Sequence, residues 1–104
     1  MSAAGSRWMG RVASIGCIAC IVLGHGASPA QVHHIREGRI ARNDFLTLPL
    51  CREHHTGTFQ SVHMRKAELM RALGVTSEFD LLAMVIGMLA GERAPYGGYE
   101  CEPG

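Results

Sequence analysis

A chain of 104 residues makes one domain with a modest core and is too short for two. Its formal net charge of +1 excludes a strongly basic or acidic protein but hides an uneven distribution. From Arg36 to Arg71 there are seven basic residues against four acidic ones, whereas from Ala72 onward five acids face only Arg93. A basic middle favours a polyanionic partner there, although mixed charge on a solvated surface is the plainer reading. Domains this small often gain stability from a metal or from disulfides, and four cysteines with six histidines supply the means.

The first 31 residues admit two readings. In one they are an export signal, with Arg7 and Arg11 as the charged part, Val12 to Leu23 as the apolar part and "SPAQ" as the cleavage site. Cys17 and Cys20 would then be removed or carry lipid. The apolar run is in any case shorter than the roughly 20 residues of a membrane span. In the other reading residues 1–14 are an N-terminal extension, and "RVASIG" is a strand-like run entering "CIAC", half of a metal site. A thioredoxin-like redox role for Cys17 and Cys20 needs a parallel-sheet context that this sequence lacks.

Next along the chain, "QVHHI" is expected as a short strand, "REGRIARND" as a turn-rich loop and "FLTLPL" as a second extended run, together a hairpin. A helical turn then starts at Cys51. Cys51 and His54 pair with Cys17 and Cys20 as a closed three-cysteine, one-histidine set of the structural zinc kind, the two halves separated by 30 residues. Cys101 is the rival fourth ligand but lies beyond a long helix and a glycine-rich stretch. Disulfides would require an oxidising compartment. Neighbouring helical positions point about 100° apart, so His54 and His55 cannot serve one ion, and alternation along a strand likewise gives His33 and His34 separate roles.

A hairpin delivering histidines, followed by a helix delivering another, is the layout of a metal site that acts on phosphodiesters. "CIAC", "VHHI", "LPLCREHH" and the later His63 resemble the His-Asn-His (HNH) endonuclease superfamily, most closely its phage recombination-enhancement, RecA-dependent nuclease-like branch, over roughly residues 15–74. The resemblance implies an α+β fold with a small ββα-metal core, a structural zinc knuckle and a second divalent ion, Mg²⁺ or another, that serves DNA cleavage. By motif, His33 and His55 are the expected ligands of that ion, His63 an additional ligand or a phosphate contact, and His34 the general base, while Cys17, Cys20, Cys51 and His54 hold zinc. No asparagine occupies the superfamily's usual middle position, so Asp44 or a backbone carbonyl is expected to orient His34. Arg36, Arg39, Arg42 and Arg52 are expected phosphate contacts. The resemblance also implies a recombinase filament as partner, no membrane, and the cytoplasm of a bacterial host. A zinc-containing module that binds nucleic acid without cutting it is the alternative.

Two C-terminal helices complete the expected domain at residue 90. Val62, Leu69, Met70 and Leu73 mark the buried face of the first, stopped by Gly74; Thr76 or Ser77 caps the second, with Phe79, Leu82, Ala83, Ile86 and Leu89 as its stripe. That second helix could alternatively mediate dimerisation. Residues 91–104, rich in glycine, proline and acids, read as a loosely ordered acidic tail.

Overall fold

A computed structural model describes residues 2–91, so all of the tail beyond Gly91, with Cys101, lies outside the described residues. The protein is a small mixed domain in which helices surround a two-stranded antiparallel sheet.

The chain opens with α1, Ala3–Ile15, a helix that takes in most of "RVASIG" in place of the strand its composition suggests. Ser2 caps the helix by accepting the Gly5 N–H at 2.9 Å. Trp8, Val12 and Ile15 recur at helical spacing and place one apolar face on the sheet and on the C-terminal helix, with Val12 fully buried. That long-range burial outweighs the local β-branched character of the segment. Gly16 ends α1 at φ +90°, and a Cβ there would sit 2.8 Å from that of Ala27, so only glycine makes this turn. The turn delivers Cys17 to the start of α2, Ile18–Val22.

β1, Gln31–His34, pairs with β2, Thr47–Leu50, in the register His33 opposite Leu48 and His34 opposite Thr47. All of β2 is buried beneath α1, α2 and the last helix. Pro49 is tolerated because a two-stranded sheet has only edges. The connection between the strands holds a short 3₁₀ turn, Glu37–Arg39.

α3, Arg52–Thr56, follows β2 directly. The loop after it folds back on its carbonyls: the Val62 N–H donates to His54 O at 2.9 Å and the His63 N–H to His55 O at 3.2 Å. α4, Lys66–Leu73, buries Leu69, Met70 and Leu73 as expected and stops at left-handed Gly74. α5, Glu78–Leu89, starts from a reciprocal capping box between Ser77 and Asp80. Its buried face differs from the expected stripe: Leu81, Leu82 and Val85 are inside, while Phe79, Ala83 and Ile86 are exposed. The helix is apolar on nearly every side, so hydrophobicity alone does not select its inner face; the core it meets does. Among the described residues no single helix is long and apolar enough to cross a membrane.

Candidate metal centre

Among the described residues two groups of potential metal ligands form, each with its donor atoms within 4.8 Å of one another. The first unites Cys17, Cys20, Cys51 and His54. His54 Nδ1 lies 3.6 Å from Cys17 Sγ, 3.6 Å from Cys20 Sγ and 3.3 Å from Cys51 Sγ, and the Cys20 and Cys51 sulfurs are 3.9 Å apart. A tetrahedron built from zinc–sulfur and zinc–nitrogen bonds has edges of about 3.8 Å between sulfurs and about 3.6 Å from sulfur to nitrogen. The cluster therefore has the dimensions to hold an ion such as zinc.

Local folding explains how the sulfurs are aimed. Cys17 Sγ accepts the Cys20 N–H at 3.4 Å, so the "CIAC" turn directs a backbone donor at sulfur, and the Ser28 hydroxyl donates to Cys20 Sγ at 3.2 Å. Burial pushes the Cys17 thiol up to about 12, because a buried thiolate without a cation is expensive. At Cys51 burial opposes ionisation too, but the His54 N–H and the Cys17 and Cys20 thiols bring its pKa below the ordinary value. Burial lowers the pKa of His54 and favours the neutral ring that a metal requires. Cleavage after "SPAQ" would remove two of these four residues.

The second group is His33, His55 and His63. His33 on β1 is buried, His55 on α3 is half-buried and His63 on the following loop is exposed. The His55 and His63 Nε2 atoms are 3.2 Å apart, and the His33 ring stands edge-on to both. His55 Nδ1–H donates to the Gln31 side-chain carbonyl at 2.8 Å, which leaves Nε2 as its lone-pair nitrogen. Burial, then the neighbouring His33 and His63, lower the His55 pKa and favour its neutral form. His54 and His55 thus point into different clusters, as their helical offset requires.

His34 belongs to neither group. Its Nε2–H donates to Asp44 Oδ1 at 2.9 Å, so Nδ1 is the nitrogen free to accept a proton. Asp44 comes close because Gly5 of α1 has no side chain: a Cβ there would lie 2.8 Å from Asp44 Oδ2. An open cleft of about 230 Å³ is lined by His33, His34, His55, His63, Arg36 and Arg42. Arg39 is exposed at a left-handed φ of +62°, and Arg52 is exposed at the start of α3; neither is among the residues lining the cleft.

Sequence reasoning missed four residues around the histidines. Gln31 holds His55, while Glu78 Oε1 accepts from His33 Nε2–H at 2.8 Å. The other Glu78 oxygen meets Lys66 Nζ at 2.8 Å, and Lys66 also meets Glu37 at 2.7 Å. Glu78 is 45 positions from His33, and nothing in its local pattern distinguishes it from an ordinary acid in the first turn of a helix.

Together these features define a small mixed helix-and-sheet domain with two separate donor sets, of which the Cys17, Cys20, Cys51 and His54 cluster could hold a metal such as zinc. The model of the recombination enhancement, RecA-dependent nuclease family matches residues 2–78, and the chain belongs to that family. Membership implies a nucleic-acid substrate. No curated protein and no solved structure matches the chain.

Proposed function

We propose that the protein is a divalent-metal-dependent DNA endonuclease that hydrolyses phosphodiester bonds through an HNH-type ββα-metal site formed by β1, β2 and α3. The observation that carries this reading is the convergence, in one cleft, of three imidazoles, a fourth histidine held by Asp44, and two arginines. In it Cys17, Cys20, Cys51 and His54 bind structural zinc, closing the site with four protein ligands. His33, His55 and His63 hold the second ion and leave coordination positions open. When bound, that ion polarises the scissile phosphate and offsets charge on the leaving oxygen. Three neutral imidazoles suit a nitrogen-accepting transition ion better than Mg²⁺, which prefers oxygen ligands.

His34 acts as general base: its Nδ1 takes the proton of the attacking water while Asp44 fixes the ring through Nε2–H. Arg36 and Arg42 hold the phosphate backbone over the cleft, with Arg39 and Arg52 as outer contacts. Base-independent contacts of this kind suit DNA bound without strong sequence preference. A recombinase filament as partner, and a phage or prophage setting, rest on the family's name; the reducing cytoplasm of a bacterial host would keep the thiols available for zinc.

The test is nicking of supercoiled plasmid by zinc-loaded protein with Mn²⁺, Co²⁺ or Mg²⁺, with and without a recombinase filament, beside His34→Ala. Metal-dependent nicking that disappears in the variant supports the assignment. A folded, zinc-loaded protein that binds DNA but never cuts it under these conditions would make the chain a nucleic-acid-binding module.

A further inference from the structure

One buried acid takes no part in the proposed chemistry. Glu78 is 4% exposed, and its partner His33 is 5% exposed. Burying a carboxylate is costly unless each oxygen has a partner, and here each does: Oε1 accepts from His33 and Oε2 from Lys66. The Glu78 N–H donates to Glu37 Oε2 at 2.8 Å, and the Ser77 hydroxyl donates to Glu37 Oε1 at 2.7 Å. The start of α5 is thus anchored to the loop after β1, and Lys66 ties the start of α4 to both carboxylates.

We infer that Glu78 is a positioning residue for the second ion, holding His33 with Nε2 protonated so that Nδ1 presents the lone pair an ion would use. The inference rests on the histidine cluster being a metal site. A carboxylate can only accept a hydrogen bond, so the 2.8 Å contact assigns the His33 proton to Nε2 and leaves Nδ1 bare in the neutral ring. It also restrains ring rotation, and the negative charge makes the imidazole a stronger donor to a cation. The role would extend the site beyond hairpin and α3 to the first residue of α5. Lys66 and Glu37 hold the carboxylate in place, and Lys66 offsets part of its charge.

The experiment titrates Co²⁺ into full-length, zinc-loaded protein by calorimetry, with zinc content checked afterwards by mass spectrometry. It compares wild type, His55→Ala, Glu78→Gln and Glu78→Ala, and records the His33 ring nitrogens by long-range ¹H–¹⁵N correlation. Glu78→Gln keeps the shape and an acceptor oxygen, and it should weaken Co²⁺ binding by about 10-fold; Glu78→Ala should weaken it by up to about 100-fold and erase the fixed Nε2–H pattern. A packing role alone would lower the melting temperature without changing either readout in folded protein. Should Glu78→Ala fail to fold, Glu78→Gln decides. Loss of Co²⁺ binding in His55→Ala, with Glu78→Gln within twofold of wild type, overturns the role of Glu78 and leaves the metal site standing. Equal binding by wild type and His55→Ala, or none by either, overturns the metal site and the Glu78 inference with it.

Discussion

The sulfur cluster and the imidazole cluster are built from neighbouring residues, yet their surroundings differ in almost every respect. Cys17, Cys20 and His54 are buried, four of the distances among the donors lie at 3.3–3.9 Å, close to the edges of a zinc tetrahedron, and the nearest hydrogen-bond donors point at sulfur. The other cluster has three donors graded from buried His33 to exposed His63, and it opens on a cleft with arginines. A closed set of four can only hold its ion, whereas three ligands beside open space leave room for a substrate. On the proposed reading, one cluster is a staple and the other a reaction site, and α3 joins them through His54 and His55.

Variants can separate the two, and the largest effect belongs to the staple. Cys51→Ser should abolish zinc retention and the cooperative thermal transition, because structural zinc in small domains contributes on the order of 10 kcal/mol. Retention of one zinc per chain and a sharp melt would break the comparison at its root. Smaller in free energy but cleaner in meaning, His34→Ala should lower cleavage by about 10²–10⁴-fold while zinc content and melting temperature hold. If the rate is unchanged, the base is another group.

Gly5→Ala sharpens the contrast from a distance. The new Cβ must displace the Asp44 carboxylate and would also lie 3.1 Å from the Asp44 Cβ and from the Ser2 capping hydroxyl, so cleavage should fall by about 10-fold together with a modest fall in melting temperature. A fall in melting temperature with no change in rate would instead make the contact a packing detail. Arg42→Ala should weaken DNA binding for all sequences alike and reduce the slope of log affinity against log salt by about 1, as removal of one phosphate contact requires. An unchanged slope would place the phosphate track elsewhere.

The smallest effect concerns the ion network behind the clusters. Burial opposes ionisation of Glu37, but the Lys66 hydrogen bond, the Glu78 N–H and the Ser77 hydroxyl together lower its pKa below 4.5. A carboxylate with a depressed folded pKa stabilises the fold above its unfolded value, and that stability is lost as pH falls through the folded value. Glu37→Gln should therefore cost about 1 kcal/mol at pH 7, modest because Lys66 is partly solvated, and the gap from wild type should narrow as pH falls through and below the ordinary carboxylate range. Denaturant melts at several pH values would read this; a gap that persists in acid would mean the loss is steric.

Which side chains converge was in large part legible because it is written in short-range spacing. "CIAC" and "CREHH" bring donors together within single turns, the doubled histidines must split between faces, and "QVHHI" and "TLPL" pair as a hairpin. Asp44 could be named only as one of two candidates. α1 was misread at its C-terminal end because Val12 and Ile15 favour extended chain locally, while their helical spacing pays off only against the sheet. The stripe of α5 was misread for a related reason: in a helix apolar all round, the buried face is chosen by the surface it meets.

What the sequence determined by itself is therefore the chemistry available and its local geometry, since covalent spacing and the periods of helix and strand act over a few residues. Only the tertiary structure decided that His63 returns to His55, that Gly5 admits Asp44, and that Glu78 reaches His33 across 45 positions. Those contacts depend on how whole elements pack, and packing is a property of the assembled core rather than of any segment.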